Sequence, residues 1–466
     1  MNTVIDNELL AKLDEWLNVH RAEFVRDVIS LVNIKSVRGA AEPGKPFGTG
    51  PANAIDKGAE LGDAYGYETE NDGYYTLSFL RKGKTNRELG IIGHVDVVPE
   101  GSGWTFEPYN AIERDGWIIG RGSGDNKGPS VAALYVLRAL DALGIELNRG
   151  VRVIWGADEE SDMGDVKHYV ETRSEFPDFT IVCDAGFSVS IGEKSVFVST
   201  LVYDIGADTN LMALNAGSAT NAIPDYAEIT YTGKPPQATE GIDIKTNGYL
   251  ITLSARGDAG HASRPEGKTN AIYALTKAVT DAKLLTGKAY DAVKAISEIL
   301  SDHYGVGVGI ESEDDISGKT THIGGIIKYE NGKISQTIDA RCVIKMDVND
   351  IAERLKAHVT PMGFTVEDIR VNRSRYTDPE SAEVKLLADI SRQMLGEHSD
   401  EPYIMGGGTH AKYFPNSVPF GPSQSNFETP YGTAHCADEA QNIDELLTAI
   451  KVYVVALMKL DELYGI

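Results

Sequence analysis

The stretch Ile91-Ile92-Gly93-His94-Val95-Asp96 decides the fold. A short apolar run that stops at ionisable side chains reads as a buried strand delivering chemistry at its carboxyl end. Two other runs repeat the pattern, Ile154-Trp155-Gly156-Ala157-Asp158-Glu159-Glu160 and Ile181-Val182-Cys183-Asp184. In an open α/β sheet, ligands bind outside the carboxyl ends of the strands. If the three runs are parallel neighbours, their terminal side chains converge. His94 and Asp96, two apart, then point to one face, so one can hold a metal while the other orients the imidazole.

Outward from these runs, apolar residues between 7 and 32 recur at helical spacing and predict an amphipathic opening helix or helix pair. Strands are expected at 74–80, 89–93, 151–155 and 179–183, with a helix over 130–143. Such alternation indicates an α/β fold with a mostly parallel sheet. From about 196 the pattern changes. Strands are expected at 228–232, 249–255, 322–329 and 333–344, with a helix at 270–282, and the turn Glu330-Asn331-Gly332 signals a hairpin. This is a second, α+β core. Helical spacing returns after Pro379, and an apolar helix is expected over 443–464.

Composition narrows the function classes. The 466 residues allow up to about three cores. Lys plus Arg number 44 against 69 Asp plus Glu, a formal charge of -25, which argues against neutralising a phosphate backbone; no nucleic-acid partner is expected. With 42% hydrophobic and 24% charged residues the chain has an ordinary globular mix, so the acid excess reads as surface solubility. No apolar run approaches the roughly 18 residues that span a bilayer, so no membrane partner is expected. The first ten residues lack the basic stretch and apolar core of a cleaved secretion signal. Cys183, Cys342 and Cys436 are odd in number and widely spaced, which excludes a disulfide framework and points to a reducing, cytoplasmic location.

Two loops add candidate ligands. Asp125 lies in the glycine-rich stretch 120–128 ahead of the expected helix, and His435 lies in Tyr431-Gly432-Thr433-Ala434-His435-Cys436 ahead of the last one. His94, His435, Asp125, Glu160 and Asp184 are too many ligands for one tetrahedral ion, but they suit two metals sharing a carboxylate. A lone His-x-Asp arises by chance and a Glu-Glu pair is usually a solvated face; strand ends combined with glycine-rich loops outweigh both objections. His20, His168, His303, His322, His358 and His398 read as surface or satisfied core residues, and Cys183 and Cys436 as packing residues. No dinucleotide fingerprint, Walker loop, Gly-x-Ser-x-Gly elbow or His-Glu-x-x-His helix occurs.

Taken in order, His94-x-Asp96-Val97-Val98-Pro99, Gly120-Arg121-Gly122 leading to Asp125-Asn126-Lys127-Gly128, Asp158-Glu159-Glu160, Asp184 and the late His435 resemble the metal-site pattern of the M20 family of metallopeptidases. The similarity spans nearly the whole chain, and the long insert resembles the PepV-type dipeptidase branch. It implies a catalytic metal-binding domain over 1–194 and 380–466, split by a lid domain over 195–379. It implies two divalent ions, zinc with manganese or cobalt as alternatives, held by His94 with Asp184 and by Glu160 with His435. Asp125 would bridge them, Asp96 would orient His94, and Glu159 would be the general base. It also implies a cis peptide after Asp125.

Within the insert, Gly257-Asp258-Ala259-Gly260-His261-Ala262-Ser263-Arg264-Pro265 resembles a lid motif whose histidine, here His261, stabilises the oxyanion. Asn221 and Arg341 match lid positions that contact substrate; Arg341 offers a fork for a carboxylate, with a surface ion pair as its alternative. Gly406-Gly407-Gly408-Thr409-His410-Ala411-Lys412 resembles the stretch that cradles the substrate's carboxyl end, which assigns Gly408, Thr409 and Lys412 to substrate. Branch members generally carry Tyr and Arg where this chain has His410 and Lys412, leaving His410 either to tune specificity or to fill space. The implied activity is hydrolysis of dipeptides with a free carboxyl terminus, by a monomer. The motifs for metal and base are shared with N-acyl amino acid deacylases and desuccinylases. A non-catalytic peptide-binding relative would need neither Glu159 nor His261.

Overall fold

A computed structural model describes residues 5–396, 401–424 and 428–465. The chain divides into two compact units, one running up to Ile191 with Thr377–Tyr403 and the chain from Thr409 onward, the other Gly192–Tyr376 with Ile404–Gly408. The sequence reading assigned all of 380–466 to one domain, whereas Ile404–Gly408 groups with the second unit. The reason is backbone pairing: Lys194 N–H donates to the Met405 carbonyl at 2.9 Å, and Arg341 Nη1 to the Gly406 carbonyl at 3.1 Å.

The first unit is built on a sheet ordered Glu68–Asp72, Thr76–Arg81, Gly150–Gly156, Glu88–His94, Thr180–Val182, Ser417–Pro419. The last four strands are mutually parallel, and Thr76–Arg81 runs antiparallel to both of its neighbours. Glu88–His94 lies between the other two acid-tipped strands, and the register sets His94 opposite Gly156 and Ile92 opposite Val182. Their uninterrupted apolar runs reflect burial on both faces. Leu89, Ile91, Val153 and Ile181 pack with helices Asn7–Val32, Lys127–Ala142 and Ile443–Tyr464. Ile92, Ile154 and Val182 face the other way, onto Val166 and Tyr169 of helix Gly164–Thr172 and onto Ala411 and Phe414.

The opening segment is one helix, capped by Asp6, whose carboxylate accepts the Glu8 N–H at 2.8 Å. Helix Lys127–Ala142 starts three residues before the expected 130, because Pro129 falls in the first turn, where no N–H donor is needed. The final helix is Ile443–Tyr464, with Asn442 as its cap accepting the Glu445 N–H. Among the described residues, no helix is long and apolar enough to cross a membrane.

The second unit is an antiparallel sheet ordered Ile242–Asn247, Leu250–Arg256, Tyr226–Thr232, Leu211–Ala216, Ile327–Glu330, Lys333–Cys342, Ser195–Asp204, Thr365–Asn372. Burial alternates along Ser195–Asp204, as expected of a sheet with one covered face. Helices Ala271–Asp281, Gly287–Ile299 and Val348–Val359 supply that cover. The hairpin at Asn331-Gly332 is a two-residue loop with φ of 51° and 75°, the left-handed pair that matches strand twist. The expected strand at 322–329 is two, Thr321–Ile323 and Ile327–Glu330, both pairing with Lys333–Cys342.

Candidate metal centre

Parallel pairing brings the three strand ends level. His94 closes its strand with a fully buried side chain. Its Nδ1 lies 3.1 Å from the Asp96 carbonyl oxygen and 3.4 Å from Asp96 Oδ1. Both are acceptors, so Nδ1 carries a proton, and Nε2 is the nitrogen that faces the pocket. The strand ends at His94, yet Asp96, 1% exposed, still meets it. His94 Nε2 is 3.0 Å from Asp125 Oδ1 and 3.8 Å from Asp184 Oδ2.

The glycine before His94 is required by close approach. A Cβ on Gly93 would lie 2.5 Å from Asn126 Oδ1 and 2.6 Å from Ser130 Oγ, at the start of helix Lys127–Ala142. Asn126 accepts the His94 N–H at 3.3 Å and donates to the Cys183 carbonyl at 2.8 Å and to Asp184 Oδ1 at 3.1 Å. The peptide between Asp125 and Asn126 is cis. Asp125 faces both histidines, with Oδ2 3.0 Å from His435 Nε2. His435 also lies 3.0 Å from Glu160 Oε2. Two overlapping triads have ligand atoms within 4.8 Å of one another, His94-Glu159-Asp184 and His94-Asp125-Glu160.

Electrostatics expose how crowded the pocket is. Burial pushes the Glu159 carboxyl well above its usual range, reinforced by the charges of Asp184, Glu160 and Asp125. Burial and then Asp125 raise Glu160 to about 7 and Asp184 to about 6. Burial works against Asp125 too, but hydrogen bonds with His435 and His94 pull it below the carboxylate range. Burial would depress His94 and His435, yet their acidic partners raise both, His435 to about 12. Glu159 Oε1 is buried without a hydrogen-bond partner. Carboxyls that must hold protons when alone, beside an orphaned buried oxygen, fit a pocket made for added positive charge. The donor set is imidazole nitrogen and carboxylate oxygen, suited to zinc, manganese or cobalt.

Glu439 and Asp165 are supports that the sequence reading missed. Glu439, buried, accepts the N–H groups of Gly122, Gly124 and Asp125 on Oε1, each at 3.1 Å, and pairs through Oε2 with buried Arg121 at 2.5 Å. An arginine between glycines in a buried loop was the available signal, since it demands a buried acid. Nothing in the local sequence marks Asp165, whose role depends on a partner far along the chain.

Thr409 is buried, and its hydroxyl caps the turn His410–Lys412 by accepting the Ala411 N–H; Lys412 is buried as well. In the second unit, Ala222 of the short strand after Asn221 pairs with His261, and the Asn221 carbonyl accepts the Ala262 N–H. His261 Nδ1 accepts the Ser263 N–H at 3.2 Å and lies 2.8 Å from its hydroxyl, so the imidazole proton sits on Nε2. Arg341 places its fork on Asp339, Nε at 2.7 Å and Nη2 at 3.1 Å. This is the ion-pair alternative, but buried, because the pair lies on an inner strand. Gly408 falls in the second unit, one residue before the chain returns to the first.

Cys183 packs in the core as expected, while Cys436 is exposed, so its reading as a packing residue is corrected: its loop leaves it outside the core. His322 is a satisfied core residue, accepting the Gly305 N–H at Nδ1 and lying 3.2 Å from the Ile299 carbonyl. His398 lies outside the described residues.

The α/β sheet thus gathers imidazoles and carboxylates at its strand ends, a donor set suited to metal-assisted hydrolysis. Residues 90–459 match peptidase family M20/M25/M40, and the chain belongs to that family. Among its relatives, a protein of Staphylococcus epidermidis named "Putative dipeptidase" is 30% identical over 462 residues, covering 94% of this chain and 97% of the relative. "Putative dipeptidase YtjP" of Bacillus subtilis is 30% identical over 467 residues, with 94% and 97% covered. Human carnosine dipeptidase 1 shares the fold at 14% identity and a TM-score of 0.65, over 97% of this chain and 99% of that one. The dipeptidase Dug1p of Saccharomyces cerevisiae does so at 12% and 0.64, over 97% and 98%.

Proposed function

We propose that this chain hydrolyses the peptide bond of dipeptides bearing a free carboxyl terminus. The observation that carries the reading is the orphaned, buried Oε1 of Glu159, whose carboxylate groups with His94 and Asp184 in a cluster that shares His94 with Asp125 and Glu160. The names of the full-length relatives support the dipeptide as substrate class. His94 with Asp184 would hold one divalent ion and Glu160 with His435 the other, Asp125 serving both and Asp96 fixing the His94 ring. Bound there, such ions polarise a carbonyl and lower the pKa of water. Glu159 takes a proton from the attacking water and delivers it to the leaving amine nitrogen as the C–N bond breaks. His261, with its proton on Nε2, is the second unit's candidate donor to the developing oxyanion. Asn221, Gly408, Thr409 and Lys412 are assigned to the substrate; Arg341, its fork engaged by Asp339, supports the glycine-rich segment through the Gly406 carbonyl.

The test is a panel of free dipeptides, tripeptides and N-acetyl amino acids offered to metal-loaded protein. Preferential release of amino acids from dipeptides is expected. Faster turnover of N-acyl amino acids would replace this reading with a deacylase, and no turnover of any member would sink it.

A further inference from the structure

Behind the loop that carries Glu159 and Glu160 lies a second buried imidazole–carboxylate pair for which the hydrolytic reading has no use. Asp165 stands in the first turn of helix Gly164–Thr172 and is fully buried. His410 opens the turn His410–Lys412, is 1% exposed, and places Nε2 3.0 Å from Asp165 Oδ2. That same Oδ2 accepts the Asp158 N–H at 3.0 Å, while Oδ1 accepts the Val166 N–H at 2.6 Å. The fit leaves no slack: a Cβ on Gly156 would lie 2.1 Å from Asp165 Oδ2 and 2.6 Å from His410 Cε1.

The next two amides along the chain are held in the same way. Glu159 N–H and Glu160 N–H donate to Asp96 Oδ1 and Oδ2, each at 3.1 Å. Three consecutive amides of the catalytic loop therefore hang on two buried carboxylates, and each carboxylate meets an imidazole: Asp96 meets His94, and Asp165 meets His410. A buried carboxylate is costly without partners. Burial pushes the Asp165 carboxyl up, but the charge and hydrogen bond of His410 hold it below its usual range.

We infer that His410 is a positioning residue: through Asp165 it fixes the Asp158 amide, and with it the loop on which Glu159 and Glu160 stand, so that it governs turnover and not substrate choice. The inference rests on the reading of Glu159 as the base. Removing the imidazole leaves Asp165 buried without that hydrogen-bond partner and frees it to drift from the Asp158 amide. A misplacement of about 1 Å at a catalytic group costs on the order of 100-fold in rate.

The experiment measures kcat, KM and metal content of the metal-loaded full chain, using the panel member that the parent turns over fastest. His410→Ala is expected to lower kcat by about tenfold or more, with KM within about twofold, metal content unchanged and the same ranking of dipeptides. His410→Gln, whose side-chain N–H can still donate to Asp165, is expected to recover most of the loss. A risen KM, a changed ranking, or a parental kcat in His410→Ala overturns the inference. If that variant does not fold, Asp165→Asn carries the test, because it keeps a carbonyl oxygen for the Asp158 amide but gives up the charge facing His410. A lower kcat at constant KM is expected there, and a parental kcat overturns the inference. Glu159→Gln, run in parallel, separates the two readings: retained turnover there defeats the base assignment, whereas collapse there with a parental His410→Ala defeats only the positioning role.

Discussion

The carboxylate of Asp96 accepts the backbone N–H of Glu159 at 3.1 Å while lying 3.4 Å from Nδ1 of His94. One buried acid thus ties the imidazole at the end of one strand to the loop that follows its parallel neighbour. The His94 imidazole and the loop that carries Glu159 are held by the same side chain, so neither can shift without disturbing the other.

Asp96→Ala should weaken metal binding by about 10- to 100-fold, the usual effect of losing the partner that orients a ligating histidine. Turnover at saturating metal should fall as well, since the Glu159 and Glu160 amides lose their acceptor. Competition against a chromophoric chelator measures the first effect; parental affinity would remove the orienting role.

Glu159→Gln keeps the shape of the loop and removes the proposed base. Turnover should drop by about 100- to 10,000-fold with metal content intact. Parental turnover in a variant that still holds its metal would show that another group moves the proton.

Glu439→Ala strips a buried arginine of its partner and three amides of their acceptor. Breaking a buried pair from one side costs about 3–5 kcal/mol, so the variant should melt well below the parent. It should also hold metal more weakly, because the Asp125 backbone is among the released groups. Thermal unfolding with and without added metal reads both effects; an unchanged melting temperature counts against the clamp.

Exhaustive chelation should abolish turnover, and zinc, manganese or cobalt should restore it. Because ligand binding stabilises the folded state by mass action, the chelated protein should also melt earlier. Full activity in protein shown by elemental analysis to hold no metal would defeat the scheme.

Away from the site, burial raises the Glu445 carboxyl to about 7, although it accepts hydrogen bonds from the Gln424 N–H and the Gln441 side chain. The folded chain therefore holds a proton there that the unfolded chain releases near its ordinary value of about 4.3. Its contribution to stability is present below the unfolded value and declines as pH rises towards 7. In Glu445→Gln this decline should be smaller, read as a flatter melting temperature between about pH 4.5 and 7.5. An identical slope in both proteins would show that Glu445 is not the titrating group.

The apolar strand runs, the glycines around Asp125 and the helix periodicities are local signals, and they placed the sheet, the long helices and the candidate ligands. Where those readings missed, a neighbour decided. Periodicity starts the helix at 130, but the helix begins at Lys127, with Pro129 in its first turn. The 322–329 run breaks between Ile323 and Ile327, where its pairing with Lys333–Cys342 slips by one residue. Of the two readings open for Arg341, a substrate fork or an ion pair, the strand supplies the partner of the second, Asp339, two residues away on the same face.

What the sequence alone determined here is which side chains end the buried strands, because alternation, apolar run length and turn chemistry are written over a few residues. Only the tertiary structure decided what holds those side chains still. Glu439 reaches Asp125 across 314 positions of the chain, and His410 reaches Asp165 across 245. Such partnerships depend on the parallel pairing that brings distant strand ends level, and no spacing in the sequence encodes that proximity.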